Sequence, residues 1–542
     1  DLGISTAQTI TGTDLDTLIS IENIIGGTGN DILTGSDDIT VVNSLKGGYG
    51  NDTFNVSSGN DYIDGGNEDS GARGQDTLDY SSLTDGDINA TTGGISVVLN
   101  GANTVNLTVD SNNSGTFTIA DKIDQIINIE NVIGTQNNDT ITGDSDVNTL
   151  SGEGGNDIIN GGSGADTLIG GTGSDILKGG AGDFDDVIYG GTFNGTTHTD
   201  TEIDTIDYSS ATAAVTVNLN DVTGKGVVTG ATGYAEGIEQ GLDSLFGIEN
   251  VIGSTLSDTF ITKSGETNVI DGGANGLEGD TIDYSTKSKA IDVTLNGSTL
   301  TDVLISGDSK DQIKNIENVI GSSAADNIFG GSLINTLDGG DGDDILSGGL
   351  GNDTLIGGTG NNTVSYAYST VSGVTVDLTA GTGIINASDS DVLTEIQNVI
   401  GTAFVDKITG DNAVNILSGG LGNDTFYSSE GNDQINGGDN NDTMDYSNST
   451  GNKISVDLSS SSNVLVYETT ANSLVYTDTL SGIENISGTS NDDIIKGDSG
   501  VNTLSGNDGK DTLDGAGGAD IINAGANDDL ILMSNVANAA GD

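Results

Sequence analysis

The chain has 542 residues, of which 33% are apolar and 86 are glycine, while proline, cysteine and tryptophan are absent. This composition excludes one large aliphatic core, and the lack of cysteine excludes disulfides, thiolate metal sites and cysteine nucleophiles. The formal net charge of -68, from 82 acidic and 14 basic residues, argues against binding to nucleic acid or anionic lipid, which require a basic surface.

The sequence contains no apolar run of about 18 residues, so we predict no membrane-spanning helix. No signal peptide is evident, and the chain begins at Asp1 without methionine, so we expect a processed chain or a fragment of a longer protein. Low hydrophobicity with high charge is typical of disorder, but strict repeats allow each unit to bury a thin strip against its neighbours.

The first repeat unit, predicted over residues 1–128, shows the order of elements that later units share. The phrase D-x-x-x-x-I-E-N-(I/V)-I-G occupies residues 16–26, and nine-residue repeats follow over residues 26–79. Residues 79–81 (Asp-Tyr-Ser) close the run. Residues 95–99 then carry apolar side chains at every second position, which predicts a half-buried β-strand.

Five further units repeat this order at unequal intervals, which fits a solenoid with insertions. We predict these units over residues 129–247 (nonapeptides 134–191), 248–315 (degenerate), 316–395 (nonapeptides 321–365), 396–482 (nonapeptides 401–445) and 483–542 (nonapeptides 488–532). Helical periodicity is nearly absent, so we expect strands and turns throughout.

The nine-residue repeat is clearest from Gly134, where GTQNNDTIT, GDSDVNTLS and GEGGNDIIN follow one another without a gap. Glycine in the first half permits positive φ, so this half is expected to turn. The second half holds an apolar residue between small polar ones, which suits a very short strand with one inward side chain. Two nonapeptides then make one coil, and coils stack about 4.8 Å apart.

An aspartate at the sixth position of the repeat predicts a metal site. Stacked turns bring carboxylates and backbone carbonyls together, and such hard oxygens suit Ca²⁺, which takes about 6–8 of them. Without nearby histidine or cysteine, zinc and copper are disfavoured. We predict calcium ligands at Asp31, Asp52, Asp61, Asp139, Asp157, Asp166, Asp175, Asp344, Asp353, Asp424, Asp433, Asp442, Asp493, Asp511, Asp520 and Asp529. Roughly 15–20 ions would cancel about half of the net charge.

Segments such as residues 161–169 (GGSGADTLI) and 348–356 (GGLGNDTLI) resemble the RTX calcium-binding nonapeptide GGxGxDxUx. The resemblance implies an all-β protein, a parallel β-roll or β-solenoid built from RTX nonapeptide coils with inserted β-strands and loops. It also implies Ca²⁺ in the turns, export by a type I secretion system, and folding triggered by external calcium, as in bacterial surface-layer and other secreted surface proteins.

Asparagine replaces the ligand aspartate in the second nonapeptide of most units. The asparagines are Asn148, Asn335, Asn415 and Asn502, each after an apolar residue (Val147, Ile334, Val414 and Val501), with Asn268 as the expected equivalent in the degenerate unit. Because asparagine supplies no charge, we expect these half-turns to be poor in calcium and packed against something, with asparagine ladders as one arrangement. Insertions at residues 65–79 and 179–189 weaken the case for calcium there.

Three other features leave alternatives open. We interpret Asp-Tyr-Ser as a cap that seals the thin core, with a ligand site as the alternative. We interpret Ile-Glu-Asn as a rung of the stack, with an interface or calcium-bridging glutamate as the alternative. His198, the only histidine, lies in a polar loop without a partnered nucleophile, so we interpret it as a surface residue and expect no enzymatic activity.

These features predict an extracellular structural protein of the bacterial cell surface that self-assembles into a surface layer, sheath or filament. Its expected partner is a further copy of itself, with cell-surface polysaccharide as a second candidate, and neither nucleic acid binding nor membrane insertion is expected. The alternatives are the repeat stalk of a secreted adhesin and the RTX tail of a larger secreted enzyme. Because like charges repel, we expect the calcium-free chain to be largely disordered.

Overall fold

A computed structural model describes residues 8–11, 14–16, 21–66, 74–82, 94–109, 123–238 and 241–533, apart from residues 37, 39, 58, 181, 183, 221, 223, 224, 226, 230, 275–277, 460, 461 and 469–472. Every regular element among these residues is a β-strand. No helix in the described part is long and apolar enough to cross a membrane.

The strands are short because each repeat supplies one inward apolar side chain. Leu150, Ile159, Leu168 and Leu177 occupy the same place in four successive nonapeptides, and each is 0% exposed. Phe54 fills the equivalent place in an earlier coil. Small polar residues flank these positions, so the core is one side chain wide on each sheet.

Parallel pairing joins strands that are two nonapeptides apart. Thr140, Ile141 and Thr142 pair with Ile158, Ile159 and Asn160, a separation of eighteen residues. Alternate nonapeptides therefore enter two different sheets. The predicted all-β parallel solenoid of RTX-like coils is confirmed.

The contacts divide the chain into two compact units, residues 1–281 with 309–315 and residues 282–308 with 316–542. One strand, Thr281–Asp283, contains the dividing point. The division into six repeat units stays a prediction from the sequence.

The described residues of the first unit form two long sheets and two separate hairpins. One sheet has the strand order Asn23–Ile25, Ser44–Lys46, Tyr62–Asp64, Ile123–Ile127, Val105–Val109, Ile95–Val98, Thr140–Thr142, Ile158–Gly162, Ile176–Gly180, Thr205–Asp207, Asn250–Ile252, Val269–Asp271 and Asp311–Lys314. The other has the order Ile32–Thr34, Thr53–Asn55, Thr77–Asp79, Asn131–Ile133, Thr149–Gly154, Thr167–Thr172, Val187–Tyr189, Gly241–Phe246, Gly233–Gly237, Thr216–Asn218 and Thr259–Ile261. The hairpins are Gln8–Thr11 with Asp14–Asp16 and Thr192–Phe193 with His198–Thr199.

The second unit also contains two long sheets. One has the order Asn318–Ile320, Thr336–Asp338, Thr354–Ile356, Asp389–Thr394, Thr382–Asn386, Thr375–Asp377, Lys407–Thr409, Thr425–Tyr427, Thr443–Asp445, Asn485–Ser487, Thr503–Ser505 and Ile521–Asn523. The other has the order Thr301–Ile305, Ile291–Thr294, Asn327–Phe329, Ile345–Ser347, Thr363–Ser365, Asn398–Ile400, Ile416–Gly422, Gln434–Asn440, Leu474–Ser481, Ser462–Glu468, Asn452–Asp457, Ile494–Lys496, Thr512–Asp514 and Leu530–Leu532.

The inserted strands form antiparallel meanders that continue these sheets. Thr382–Asn386 is antiparallel to both Thr375–Asp377 and Asp389–Thr394, and these outer strands pair in parallel with Lys407–Thr409 and Thr354–Ile356. Similar meanders are formed by Ile95–Val98, Val105–Val109 and Ile123–Ile127, by Thr216–Asn218, Gly233–Gly237 and Gly241–Phe246, and by Asn452–Asp457, Ser462–Glu468 and Leu474–Ser481. The alternating apolar pattern predicts one strand at each insertion. The described insertions instead contain further strands, because the next residues also find backbone partners in the ladder.

Candidate metal centre in the stacked turns

The nonapeptides that carry the aspartate place it in the turn before a short strand, and one carboxylate oxygen accepts a hydrogen bond from the preceding coil. The N–H of Asp139 donates to Oδ1 of Asp157, and the N–H of Asp157 donates to Oδ1 of Asp175, both at 2.7 Å. In the second unit the N–H of Asp406 donates to Oδ1 of Asp424 at 2.8 Å. The carboxylates therefore form ladders, and their Oδ1 atoms help to hold consecutive coils in register.

The second oxygen, Oδ2, has no hydrogen-bond partner in many of these carboxylates. The residues concerned, each at most 1% exposed, are Asp52, Asp157, Asp166, Asp175, Asp204, Asp344, Asp353, Asp424, Asp442 and Asp511. A buried polar atom without a partner costs about 1–3 kcal/mol, and more when it is charged. These oxygens therefore require either a proton or a cation.

Burial raises the pKa of these carboxyl groups. The pKa of Asp157 rises to about 9, that of Asp204 to about 8, and those of Asp166 and Asp353 to about 7. Desolvation is the largest cause in each case, and hydrogen bonds from backbone N–H groups oppose it. A divalent cation reverses this preference, because its charge favours the ionised carboxylate.

Glycine at the first position keeps space open beside the unpartnered oxygen. A Cβ atom on Gly152 would meet both Oδ2 of Asp157 and the carbonyl oxygen of Gly170 in the next coil. A Cβ atom on Gly419 would likewise meet Oδ2 of Asp424 and a carbonyl oxygen of the next coil. Each such turn thus brings a carboxylate and a backbone carbonyl to one small space. An all-oxygen, negatively charged environment fits Ca²⁺.

A family comparison agrees with this geometry. The chain matches the family described as RTX calcium-binding nonapeptide repeat (4 copies) over residues 20–38, 42–69, 133–168, 160–196, 329–364, 398–445, 478–512 and 496–531. The chain carries RTX calcium-binding nonapeptide repeats. These repeats indicate multiple Ca²⁺ ions. A search of curated proteins found no match.

Some RTX turns of this protein satisfy both oxygens of the aspartate with protein donors. The N–H of Thr135 donates to Oδ2 of Asp139 at 2.6 Å, and its hydroxyl donates to Oδ1 at 3.0 Å. Thr489 binds Asp493 in the same way. These turns directly follow the Ile-Glu-Asn phrase. Threonine thus supplies the donors that the unpartnered carboxylates lack.

Other predicted ligands differ in the donor that they receive. Oδ2 of Asp31 accepts the N–H of Gly27. Oδ2 of Asp61 accepts the hydroxyl of Ser57, and Oδ2 of Asp433 accepts the hydroxyl of Ser429. Oδ1 of Asp520 and of Asp529 accepts an N–H from the preceding coil. The assignment of the sixteen predicted aspartates as calcium ligands stays a prediction, and unpartnered oxygens support it at Asp52, Asp157, Asp166, Asp175, Asp344, Asp353, Asp424, Asp442 and Asp511.

The asparagine turns are held by amide hydrogen bonds. Oδ1 of Asn148 accepts the N–H of Asp144 at 2.9 Å, and Nδ2 donates to the carbonyl of Glu130 at 2.8 Å. Asn335 and Asn502 donate in the same way to the carbonyls of Glu317 and Glu484. Asparagine ladders, one arrangement considered for these turns, do not form at Asn148, Asn335 and Asn502, because each of these amides bonds to the backbone of the Ile-Glu-Asn phrase. The amide supplies a donor that a carboxylate lacks.

The glutamate of Ile-Glu-Asn takes the place of the repeat aspartate in its coil. Oε2 of Glu249 accepts the N–H of Asp204 at 3.0 Å, and Oε2 of Glu484 accepts the N–H of Asp442 at 2.8 Å. Ile129 and Val132, which flank Glu130, are buried, so the phrase is also a rung of the core. This role was not predicted, although Glu-Asn-Val-Ile resembles Asp-Thr-Leu-Ile of the repeat.

Proposed function

We propose that this RTX protein is a calcium-stabilised extracellular structural protein without catalytic activity, which self-assembles into a surface layer, sheath or filament. The observation that carries the proposal is the row of buried, unpartnered carboxylate oxygens on consecutive coils. These atoms make ordered stacking dependent on cations, and calcium is abundant outside cells. Calcium would then set when and where the protein becomes rigid.

Recurring exposed apolar residues support self-association. Val147, Ile334, Val414 and Val501 precede the asparagine of four units, and their side chains are 52–68% exposed. Single exposed apolar residues are common on protein surfaces. Recurrence at one repeat position is informative, because Ile334, Val414 and Val501 then offer the same kind of contact three times within the second unit. Further copies of the chain are the proposed partner, with Ca²⁺ between acidic faces and cell-surface polysaccharide as an anchor.

The meanders favour this proposal over an adhesin stalk. An adhesin would present its ligand-binding loops away from the stack. The outer strands of the meander at residues 375–394 instead pair with coils on both sides, so the insertion lengthens the sheet. This arrangement serves a continuous structural element.

Electron microscopy of the purified chain with and without Ca²⁺ tests the proposal. We expect ordered arrays or fibres with Ca²⁺ and none after chelation. Dispersed particles in both conditions would overturn self-assembly and favour the adhesin. A catalytic segment in a longer gene product would favour the tail of a secreted enzyme.

A further inference from the structure

A group of three carboxylates in the first unit departs from the repeat pattern. One carboxylate oxygen from each of Asp200, Asp204 and Glu249 lies within 4.8 Å of the other two. Within the part of the chain that the structure describes, no other three histidine or acidic side chains meet this condition. We propose that this group is a calcium site that binds more tightly than the other turns of the repeats.

Asp204 provides the buried, unpartnered atom of the group. Its Oδ1 accepts the N–H of Asp175 at 2.7 Å, whereas its Oδ2 has no hydrogen-bond partner, and the residue is 0% exposed. A Cβ atom on Gly190 would meet both this Oδ2 and the carbonyl oxygen of Gly247. The two oxygens therefore face the same space.

Glu249 is held against Asp204 by the backbone. Its Oε2 accepts the N–H of Asp204 at 3.0 Å, and the carbonyl oxygen of Asp204 accepts the N–H of Asn250 at 2.9 Å. These bonds fix the distance between the two acidic residues. The glutamate belongs to an Ile-Glu-Asn phrase, so it approaches from the next coil of the stack.

An inserted hairpin brings Asp200 to the other two carboxylates. Thr192–Phe193 pairs with His198–Thr199, and the ring of Phe193 stacks on Tyr189 with centroids 4.1 Å apart. A Cβ atom on Gly247 would meet Oδ2 of Asp200, so this oxygen lies at the turn that also supplies a carbonyl. The insertion is thus packed against the solenoid and positions a third acid.

His198 lies beside this group without offering it a free nitrogen. Its Nε2 accepts the N–H of Gly191 at 3.3 Å, so it serves to hold the hairpin. The polar sequence around His198 predicts a surface loop residue, but His198 is half-buried in a short strand. The ligand atoms that remain are oxygens, which favour Ca²⁺ over zinc or copper.

The higher affinity follows from the charge of the site. A repeat turn has one carboxylate oxygen without a partner, whereas this site combines three carboxylates. Calcium affinity rises with the number of charged ligands and with the rigidity of the site. The site should therefore fill before the repeats. This inference uses the calcium chemistry of the repeats and is independent of self-assembly.

Chelator-competition titration of the full chain with Ca²⁺ tests the site. Asp200→Asn should weaken the tightest class of ions by at least about tenfold. Glu202→Gln is the matched control, because Glu202 is exposed in the same loop, carries the same charge and lies outside the group. It should leave the tightest class unchanged. Circular dichroism at saturating Ca²⁺ should show the same β-structure in both variants.

Glu249→Gln is a second variant that should fold. Gln397 occupies the equivalent position in another unit, and its Oε1 accepts the N–H of Asn362 at 2.7 Å. Glu249→Gln should weaken the same class of ions as Asp200→Asn. An unchanged tightest class in both variants, or an equal loss in Glu202→Gln, would overturn the proposed site. Absence of arrays under the electron microscope would not affect this result.

Discussion

The hydroxyl of Tyr446 donates a hydrogen bond to Oδ2 of Asp478 at 2.9 Å, and Oδ1 of the same carboxylate accepts the N–H of Asp433 at 3.2 Å. Tyr208 and Tyr366 bind Asp243 and Asp391 in the same way. Tyr208 and Tyr446 belong to Asp-Tyr-Ser, and Tyr366 belongs to the related Ser-Tyr-Ala at residues 365–367. Asp243 and Asp478 precede Ile-Glu-Asn, and Asp391 precedes the related Ile-Gln-Asn at residues 396–398. The two motifs that bound the insertions are therefore joined by one buried contact.

Replacing Tyr446 with phenylalanine should leave Oδ2 of Asp478 buried without a donor. We predict a loss of about 1–3 kcal/mol in the free energy of unfolding, measured by urea denaturation at saturating Ca²⁺. Tyr427→Phe is the control at a half-buried tyrosine of the neighbouring repeat, with an expected change within about 0.5 kcal/mol. Equal losses in both variants would contradict a special role for the Tyr446 hydroxyl.

Replacing Asp157 with asparagine should remove a calcium ligand while keeping an acceptor for the N–H of Asp139. We predict a lower calcium stoichiometry by equilibrium dialysis. At a hundredfold excess of Ca²⁺ over the dissociation constant, the lost site corresponds to about 2.7 kcal/mol of stability. Asp139→Asn is the comparison, because Thr135 already serves both oxygens of Asp139. It should lose less calcium, and equal losses would show that the threonine turns bind calcium as well.

The stability of the calcium-free protein should increase on acidification. Burial raises the pKa of Asp157 to about 9 and those of Asp166, Asp353 and Asp424 to about 7 in the folded state. The pKa of each of these carboxyl groups is higher in the folded than in the unfolded chain. Their protonation therefore stabilises the folded state fully below the unfolded pKa of about 3.9, and this stabilisation is lost as pH rises through about 7–9. Circular dichroism in chelator should show more β-structure at about pH 5 than at about pH 9. More β-structure at about pH 9 than at about pH 5 would contradict the raised pKa values of these buried carboxyl groups.

Removal of calcium at neutral pH should largely unfold the chain. The acidic side chains, which give the chain a net charge of -68, repel one another, and the unpartnered carboxylates lose their counter-ions. We predict that excess chelator abolishes most of the β-signal in circular dichroism and that added Ca²⁺ restores it. Added Mg²⁺ at the same concentration is the control and should restore less, since Mg²⁺ demands a tighter octahedral site. A β-signal that is indifferent to chelator would refute the prediction.

The exposed apolar residues should matter for assembly but little for folding. We predict that replacing Ile334, Val414 and Val501 with serine prevents array formation in electron micrographs while leaving circular dichroism unchanged. Val371→Ser is the control, because Val371 is 75% exposed but lies outside this repeat position. Arrays that survive the triple replacement would exclude these residues as the contact.

The sequence predicts the parts of the fold that depend on local periodicity. The apolar position of Leu150 and the aspartate of Asp157 follow from a nine-residue count, and both lie where the repeat predicts. Contacts between distant residues do not follow from that count. Tyr446 and Asp478 are 32 residues apart, and Asp200 reaches Glu249 only through an inserted hairpin. The second and third meander strands were also missed, since their pairing depends on the register of the flanking coils.

The eighteen-residue register between Asp139 and Asp157 determines how such a chain can change length. Deleting or duplicating eighteen residues returns every later strand to the sheet it already occupied and gives each carboxylate an equivalent neighbour. A change of nine residues exchanges the two sheets for everything downstream. Selection can therefore lengthen or shorten this protein by whole coils. Smaller insertions persist only where a meander or a hairpin returns the following strands to their original sheets.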